Sequence, residues 1–149
     1  MDVYVRCVGL LVEDDALLLM RYDDPEIGDI WQYPGGGLEA NETIAEGVGR
    51  ELREETGLIV NVGDLAYVLQ LYTETGHAFV FFFWVTREAG QLGVDAEDEP
   101  SRTEMRFVHR DEELTAPIIN PELWGRLWTD RDEGGTGTIY LGAKRPYPG

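Results

Sequence analysis

Cysteine occurs once in the 149 residues, at Cys7, so neither an intrachain disulfide nor a cysteine-built zinc site is available. Cys7 stands in an apolar stretch, which predicts a buried structural thiol rather than a reactive one. Lysine also occurs once, at Lys144, and histidine twice, at His77 and His109. Both histidines are expected at polar surface or loop positions. Positive charge as a whole is scarce: 12 basic residues face 29 acidic ones, for a formal net charge of −17. Phosphate backbones and anionic lipid repel a chain this acidic, so a nucleic-acid polymer and a membrane surface are both poor partners. Long hydrophobic runs are missing too. The longest, Phe79 to Val85, falls far short of the roughly 20 residues that span a bilayer. Asp2, Arg6, Glu13 and Asp14 interrupt the N-terminal stretch, unlike a secretory leader. The expected setting is the cytoplasm.

What is present is an ordinary globular balance, 43% hydrophobic and 28% charged. The length suits one domain, residues 1–149, with a flexible C-terminal segment expected from about residue 130. Internal repeats and low-complexity blocks are absent. Apolar and β-branched runs predict strands over Val3 to Val12, Ala16 to Arg21, Ile30 to Tyr33, Leu58 to Val62, Leu65 to Tyr72, His77 to Thr86 and Glu104 to His109. The His77–Thr86 strand is apolar enough to be central and covered on both faces. Pro34-Gly35-Gly36-Gly37 and the acidic stretch Arg87 to Arg102 read as loops, and Asp111 to Leu114 as the start of a helical turn. Pro121 to Thr129 reads as a helix whose Trp124 and Trp128 share a face packed on the sheet, and Ile139 to Leu141 as a last strand.

The segment from about Glu42 to Thr56 carries the clearest helical signal. Ile44, Val48 and Leu52 recur at i, i+4 and i+8, Thr43 and Glu46 fit a capping box, and Gly57 supplies a left-handed stop. On this helix Glu51, Glu54 and Glu55 lie at i, i+3 and i+4, on one face. Three like charges so close repel one another, and partial enclosure raises the cost as the local dielectric falls. A multivalent cation reverses that penalty. Oxygen-only ligands suit Mg²⁺ or Mn²⁺, and Mg²⁺ is typically shared between carboxylates, waters and substrate phosphates. Gly47, one turn before Glu51, has two readings: room for metal or substrate, or tolerance of a weak helix former. The triple glycine is not a P-loop, because no Lys-Ser or Lys-Thr follows at the required distance. A Rossmann fingerprint is missing as well.

Gly36, Glu42, Arg50-Glu51-Leu52, Glu54-Glu55 and Gly57-Leu58 stand at the spacing of the Nudix box, with every fixed position filled. The chain therefore resembles the Nudix hydrolases over Gly36 to Leu58, with Trp31 to Gly35 resembling the family's usual lead-in. The resemblance implies an α/β fold, an α/β/α sandwich with a mixed β-sheet. It also implies Mg²⁺- or Mn²⁺-dependent hydrolysis of a nucleoside diphosphate linked to another moiety. Glu51, Glu54 and Glu55 would hold the metal, joined by the Gly36 carbonyl. Glu42 and Arg50 would form a supporting ion pair. One of the helix glutamates, or a glutamate from a later loop, would deprotonate the attacking water. Glu104, just before a strand, is the favoured fourth carboxylate, with Glu97, Asp98 and Glu99 as competitors. Arg21, Tyr72 and Arg106 are candidates for phosphate or base contacts and Trp31 for base stacking, each set against an ordinary sheet-face or core role. Homodimers are common in the family. The substrate is expected to be a small nucleotide: a nucleoside di- or triphosphate, an ADP-ribose-like compound, a nucleotide sugar or a dinucleoside polyphosphate. The rival readings are a catalytically silent nucleotide-binding module and an isomerase of diphosphate esters. The complete glutamate set speaks against the first, and the thin cysteine and histidine set against the second.

Overall fold

The computed structural model describes residues 1–135 and 137–146. Its strands are β1 (Asp2–Glu13), β2 (Ala16–Asp24), β3 (Gly28–Gln32), β4 (Gly35–Gly37), β5 (Ile59–Tyr72), β6 (Gly76–Ala89), β7 (Arg102–His109) and β8 (Ile139–Lys144), and its helices are α1 (Ile44–Thr56) and α2 (Pro121–Asp132). The strands run in the order β3-β2-β1-β6-β5-β8, with β4 paired to β1 and β7 to β2. Pairs β1–β6 and β5–β8 are parallel and the others antiparallel, so the sheet is mixed, as the resemblance implies.

Strand periodicity sorts the core into two layers. Along β1, Cys7 and Leu11 face α1 while Val8 and Leu10 face the α2 side. The same alternation on β2 sends Leu18 one way and Leu17 and Leu19 the other. Val48 and Leu52 on α1 are completely buried against the first set, and Leu123, Leu127 and Trp128 on α2 close the second. Full burial of a side chain such as Leu52 stabilises by roughly 1.5–3 kcal/mol. Trp124 and Trp128 meet edge to face at 5.7 Å, with Trp128 buried, as their spacing predicts. Strand β6 is central and contributes Val80 and Phe82 to one layer and Val85 to the other.

Four expectations are modified. Leu58–Val62 and Leu65–Tyr72 form one strand, β5, with irregular pairing near Val62 and Leu65 that absorbs Gly63 and Asp64. The glycine run is not loop throughout: Gly35–Gly37 pairs with Val8, Cys7 and Arg6 of β1 as β4. Asp111–Leu114 does not extend into a helix. Beyond residue 130, α2 continues to Asp132 and β8 adds a parallel strand beside β5. The part of the flexible-tail expectation that falls on Thr136 and on 147–149 lies outside the described residues. Among the described residues no helix is long and apolar enough to cross a membrane.

Candidate active site

Helix α1 holds its acidic side chains in place because both ends are fixed. Thr43 Oγ1 accepts the Glu46 N–H at 3.1 Å while the Glu46 carboxylate accepts the Thr43 N–H at 3.0 Å, completing the capping box. At the other end Gly57, at φ 78°, donates its N–H to the Arg53 carbonyl. The φ value is one that side chains rarely adopt.

Arg50 organises the glutamates. Its Nε and Nη2 reach Glu42 at 3.0 and 2.8 Å, and Nη2 also donates to the Gly37 carbonyl at 2.9 Å. The expected Glu42–Arg50 pair is therefore present, and the hydrogen bonds from Arg50 and from the Glu39 N–H hold the Glu42 carboxyl below the usual range. The same guanidinium goes further than the pair: Nη1 donates to Glu51 at 2.9 Å and to Glu54 at 3.2 Å. Gly36 lies against the Glu51 carboxylate, where a Cβ would collide with it.

Glu55 is the unusual member. Burial, then a hydrogen bond with Glu51, pushes its carboxyl up to about 8, opposed in part by the Arg6 charge. It faces a cavity of about 210 Å³ shared with Glu51, Tyr22, Arg102 and the loop acids Glu97, Asp98 and Glu99. As the side chains stand, no three acidic, histidine or cysteine side chains among the described residues are grouped to hold a metal ion. Arg50 occupies Glu51 and Glu54, and burial favours the neutral form of Glu55. The donor chemistry nonetheless fits a hard divalent cation. All the donors are oxygens, the cavity holds five carboxyls against one guanidinium, and Glu55 carries a proton that a cation would displace.

Other sequence candidates fall elsewhere. The β2 register sets Arg21 opposite Trp31 of β3 and Glu104 of β7, so these side chains stand side by side on one face. Glu104 pairs with Arg106 at 2.5 Å and with Arg21 at 3.4 Å and does not line the carboxylate cavity; the loop acids take that place. Trp31 is buried, and the Arg21 and Arg106 guanidiniums lie 5.4 and 5.3 Å from its ring centre, so it offers no face to a base. Arg21 is bound to Asp29, and Arg106 to Glu112, so neither guanidinium is free. Tyr72 sits under Arg145, 5.4 Å from its ring centre, at the far end of β5. His77 bonds Gln70 and His109 accepts the Asp111 N–H, both away from the carboxylates.

Gly47 has a third explanation. A Cβ there would press on Cys7 Sγ at 2.9 Å and Glu42 Oε1 at 3.1 Å, so the glycine makes room for packing rather than for metal or substrate. Cys7 is buried beneath the helix, and burial, then the Glu42 charge, pushes its thiol up to about 11, leaving it unreactive.

A second cavity, of about 220 Å³, was not foreseen. Arg6, Gln32, Tyr33 and Asn120 supply its polar groups over a floor that includes Val80 and Phe82. The Tyr33 hydroxyl is buried with no partner among the described residues. Asn120 opens α2 at φ 50° yet makes no capping bond with its side chain. The sequence held two signals for this cavity: Arg6 is a lone charge within an apolar strand, and Asn120 precedes Pro121 at a helix start.

Comparison with known proteins agrees with this architecture. A family model described as NUDIX domain matches residues 2–124. A MutT-like protein of Streptomyces ambofaciens is 42% identical over 78 residues, which is 52% of this chain and 49% of that protein. An ADP-ribose pyrophosphatase of Methanocaldococcus jannaschii is 33% identical over 97 residues, 60% of this chain and 56% of that one. The chain thus spans about half the length of these curated relatives. Among solved structures, a Nudix hydrolase from Nitrosomonas europaea superposes with a TM-score of 0.78 at 18% identity, over 97% of this chain and 81% of that one, which shows the shared fold. With its complete box on α1 and a family match over most of its length, the chain belongs to the Nudix family.

Proposed function

We propose that this chain hydrolyses a phosphoanhydride bond in small nucleoside diphosphate-linked compounds, with Mg²⁺ or Mn²⁺ held by Glu51, Glu54 and Glu55 and the Gly36 carbonyl. The observation that carries the reading is the cavity that gathers five carboxyls, Glu51 and the half-buried Glu55 among them, with Glu55 pushed up by burial and by its bond with Glu51. Such an arrangement costs stability unless a cation offsets it. A bound divalent ion supplies charge neutralisation of the phosphates and a lowered pKa for the attacking water. Arg50 holds Glu51 and Glu54, for which a bound cation would compete with it, and its bonds to Glu42 and Gly37 keep the glycine strand against the helix. Glu54 is the proposed base, since Arg50 alone holds it and at the longer distance of 3.2 Å. Arg6 both faces Glu55 electrostatically and lines the second cavity, so it links the carboxylates to the place proposed for the organic part of the substrate. Tyr33 and Asn120 would there meet hydrogen-bonding groups of a nucleobase or sugar, satisfying a hydroxyl otherwise left unpaired.

The relative named an ADP-ribose pyrophosphatase supports a small nucleotide as substrate class. The test is a mass-resolved product screen over nucleoside triphosphates, ADP-ribose, nucleotide sugars, dinucleoside polyphosphates and a 5′-triphosphate oligonucleotide, with Mg²⁺, then Mn²⁺, then neither. Metal-dependent cleavage of a small nucleotide is expected. Arg50 lying on Glu51 and Glu54 favours one rival, a nucleotide-binding module without turnover, and binding without product release would establish it.

A further inference from the structure

The carbonyls at the C-terminal end of α1 are not left to solvent. Glu97 N–H donates to the Glu54 carbonyl at 2.6 Å and Gly93 N–H to the Thr56 carbonyl at 2.8 Å. The Glu55 carbonyl takes a different donor, Arg102 Nη1, at 3.1 Å. The other terminal nitrogen of the same guanidinium, Nη2, donates to the Glu97 carbonyl at 3.0 Å, and the Arg102 N–H donates to the Glu99 carbonyl at 3.0 Å. Loop 90–101 is therefore the cap of the helix that carries the glutamates, and Arg102 is bonded to both. Among the described residues it is also the one cation lining the cavity beside five carboxyls.

We infer that Arg102 is a positioning residue: its guanidinium clasps the acidic loop to the end of α1, so that Glu97, Asp98 and Glu99 stay opposite Glu51 and Glu55 in one cation-binding cavity. The planar fork matters. Two donors at a fixed angle span two carbonyls on different segments, whereas an ammonium is a single point charge. Its placement at a helix C-terminus is also favourable by charge. The inference rests on the metal-dependent reading above and adds to it which residue keeps the loop acids in place.

Charge and clasp have opposite signs in the experiment. If Arg102 acted only as a nearby positive charge, removing it would strengthen cation binding. If it acts as a clasp, removing it weakens binding although the cavity becomes more negative. Mn²⁺ binding by calorimetry or electron paramagnetic resonance is compared in wild type, Arg102→Met and Arg102→Lys, with melting checked for each. Hydrogen exchange of the Gly93 and Glu97 amides is followed without metal. The expected result is about tenfold weaker Mn²⁺ binding in Arg102→Met, the scale of losing a residue that supports metal ligands. Arg102→Lys falls between, because it restores charge but not the fork, and both amides exchange faster in each variant. Equal or tighter Mn²⁺ binding in Arg102→Met, full recovery in Arg102→Lys, or unchanged exchange at Gly93 and Glu97 would overturn the inference. A wild type that binds no Mn²⁺ would instead overturn the metal reading, while the exchange data still decide the clasp.

Discussion

Two of the arginine–carboxylate networks among the described residues are built from the same residue types, and they come out differently. Around Trp31, Arg21 and Arg106 meet Asp29, Glu104 and Glu112, and each acid touches a guanidinium. The arginine partners hold Asp29 and Glu112 below the usual carboxylate range. Around α1, Arg50 serves Glu39, Glu42, Glu51 and Glu54 together, and Glu55, beside the loop acids, forms no ion pair among the described residues. The first network gives each of its three carboxylates a guanidinium partner, two arginines sharing Glu104, and closes over an aromatic ring. The second is short of positive charge, and a proton on Glu55 covers part of the deficit. A glutamate near an arginine is thus structural or cation-seeking according to the local balance, not to its own identity.

The largest effect expected from breaking the second network is on rate. Glu54→Gln keeps its bond to Arg50 as an acceptor, folds, and loses at least ~10²-fold in turnover, the low end for losing a general base. Near-normal turnover in the folded variant would remove Glu54 from that role. Arg50→Met leaves Glu42 and Glu51 without their main partner at largely buried positions, side chains 12% and 14% exposed. Urea unfolding without metal is expected to show a loss of about 2–3 kcal/mol, and added Mg²⁺ to recover part of it. No difference between the two conditions would mean that no cation takes over from the guanidinium.

The Glu55 proton gives a pH signature. Its folded-state pKa, about 8, lies above the ordinary 4.5, so its stabilising contribution is full below about 4.5 and lost as pH rises through about 8. Metal-free protein should therefore melt lower at pH 8 than at pH 5, with Glu55→Gln flattening the fall. Mg²⁺ binding below pH 8 should release a proton, detected by calorimetry in buffers of different ionisation enthalpy. Proton release unchanged in Glu55→Gln would assign the proton to another group. The smallest effect is expected in the network around Trp31. Glu104→Gln, about a third exposed, should cost no more than about 1 kcal/mol and alter rate by roughly threefold or less. A 10²-fold loss there would place Glu104 with the α1 glutamates and erase the contrast.

What the sequence revealed follows the range of the interactions. The capping box of Thr43 and Glu46, the Gly57 stop and the shared face of Glu51, Glu54 and Glu55 depend on neighbours within a turn, and all were legible. The fate of Glu104 and Trp31 depended on β2 lying between β3 and β7 in one register, which no local pattern states. Arg6 and Asn120 share a cavity across more than a hundred positions of chain, so proximity to the carboxylates was invisible until β1 and the α2 entry were placed. The acidic loop was readable as loop, but its role as the cap of α1 came from backbone bonds alone.

The most direct measurement is a crystal grown with Mn²⁺ and a non-hydrolysable diphosphate, examined by anomalous scattering at the manganese edge. The expected result is manganese bound to Glu51, Glu54 and Glu55, with Arg50 released from Glu51 and Glu54. Glutamates still on Arg50, Glu55 still bonded to Glu51, and no anomalous peak between them would contradict the account.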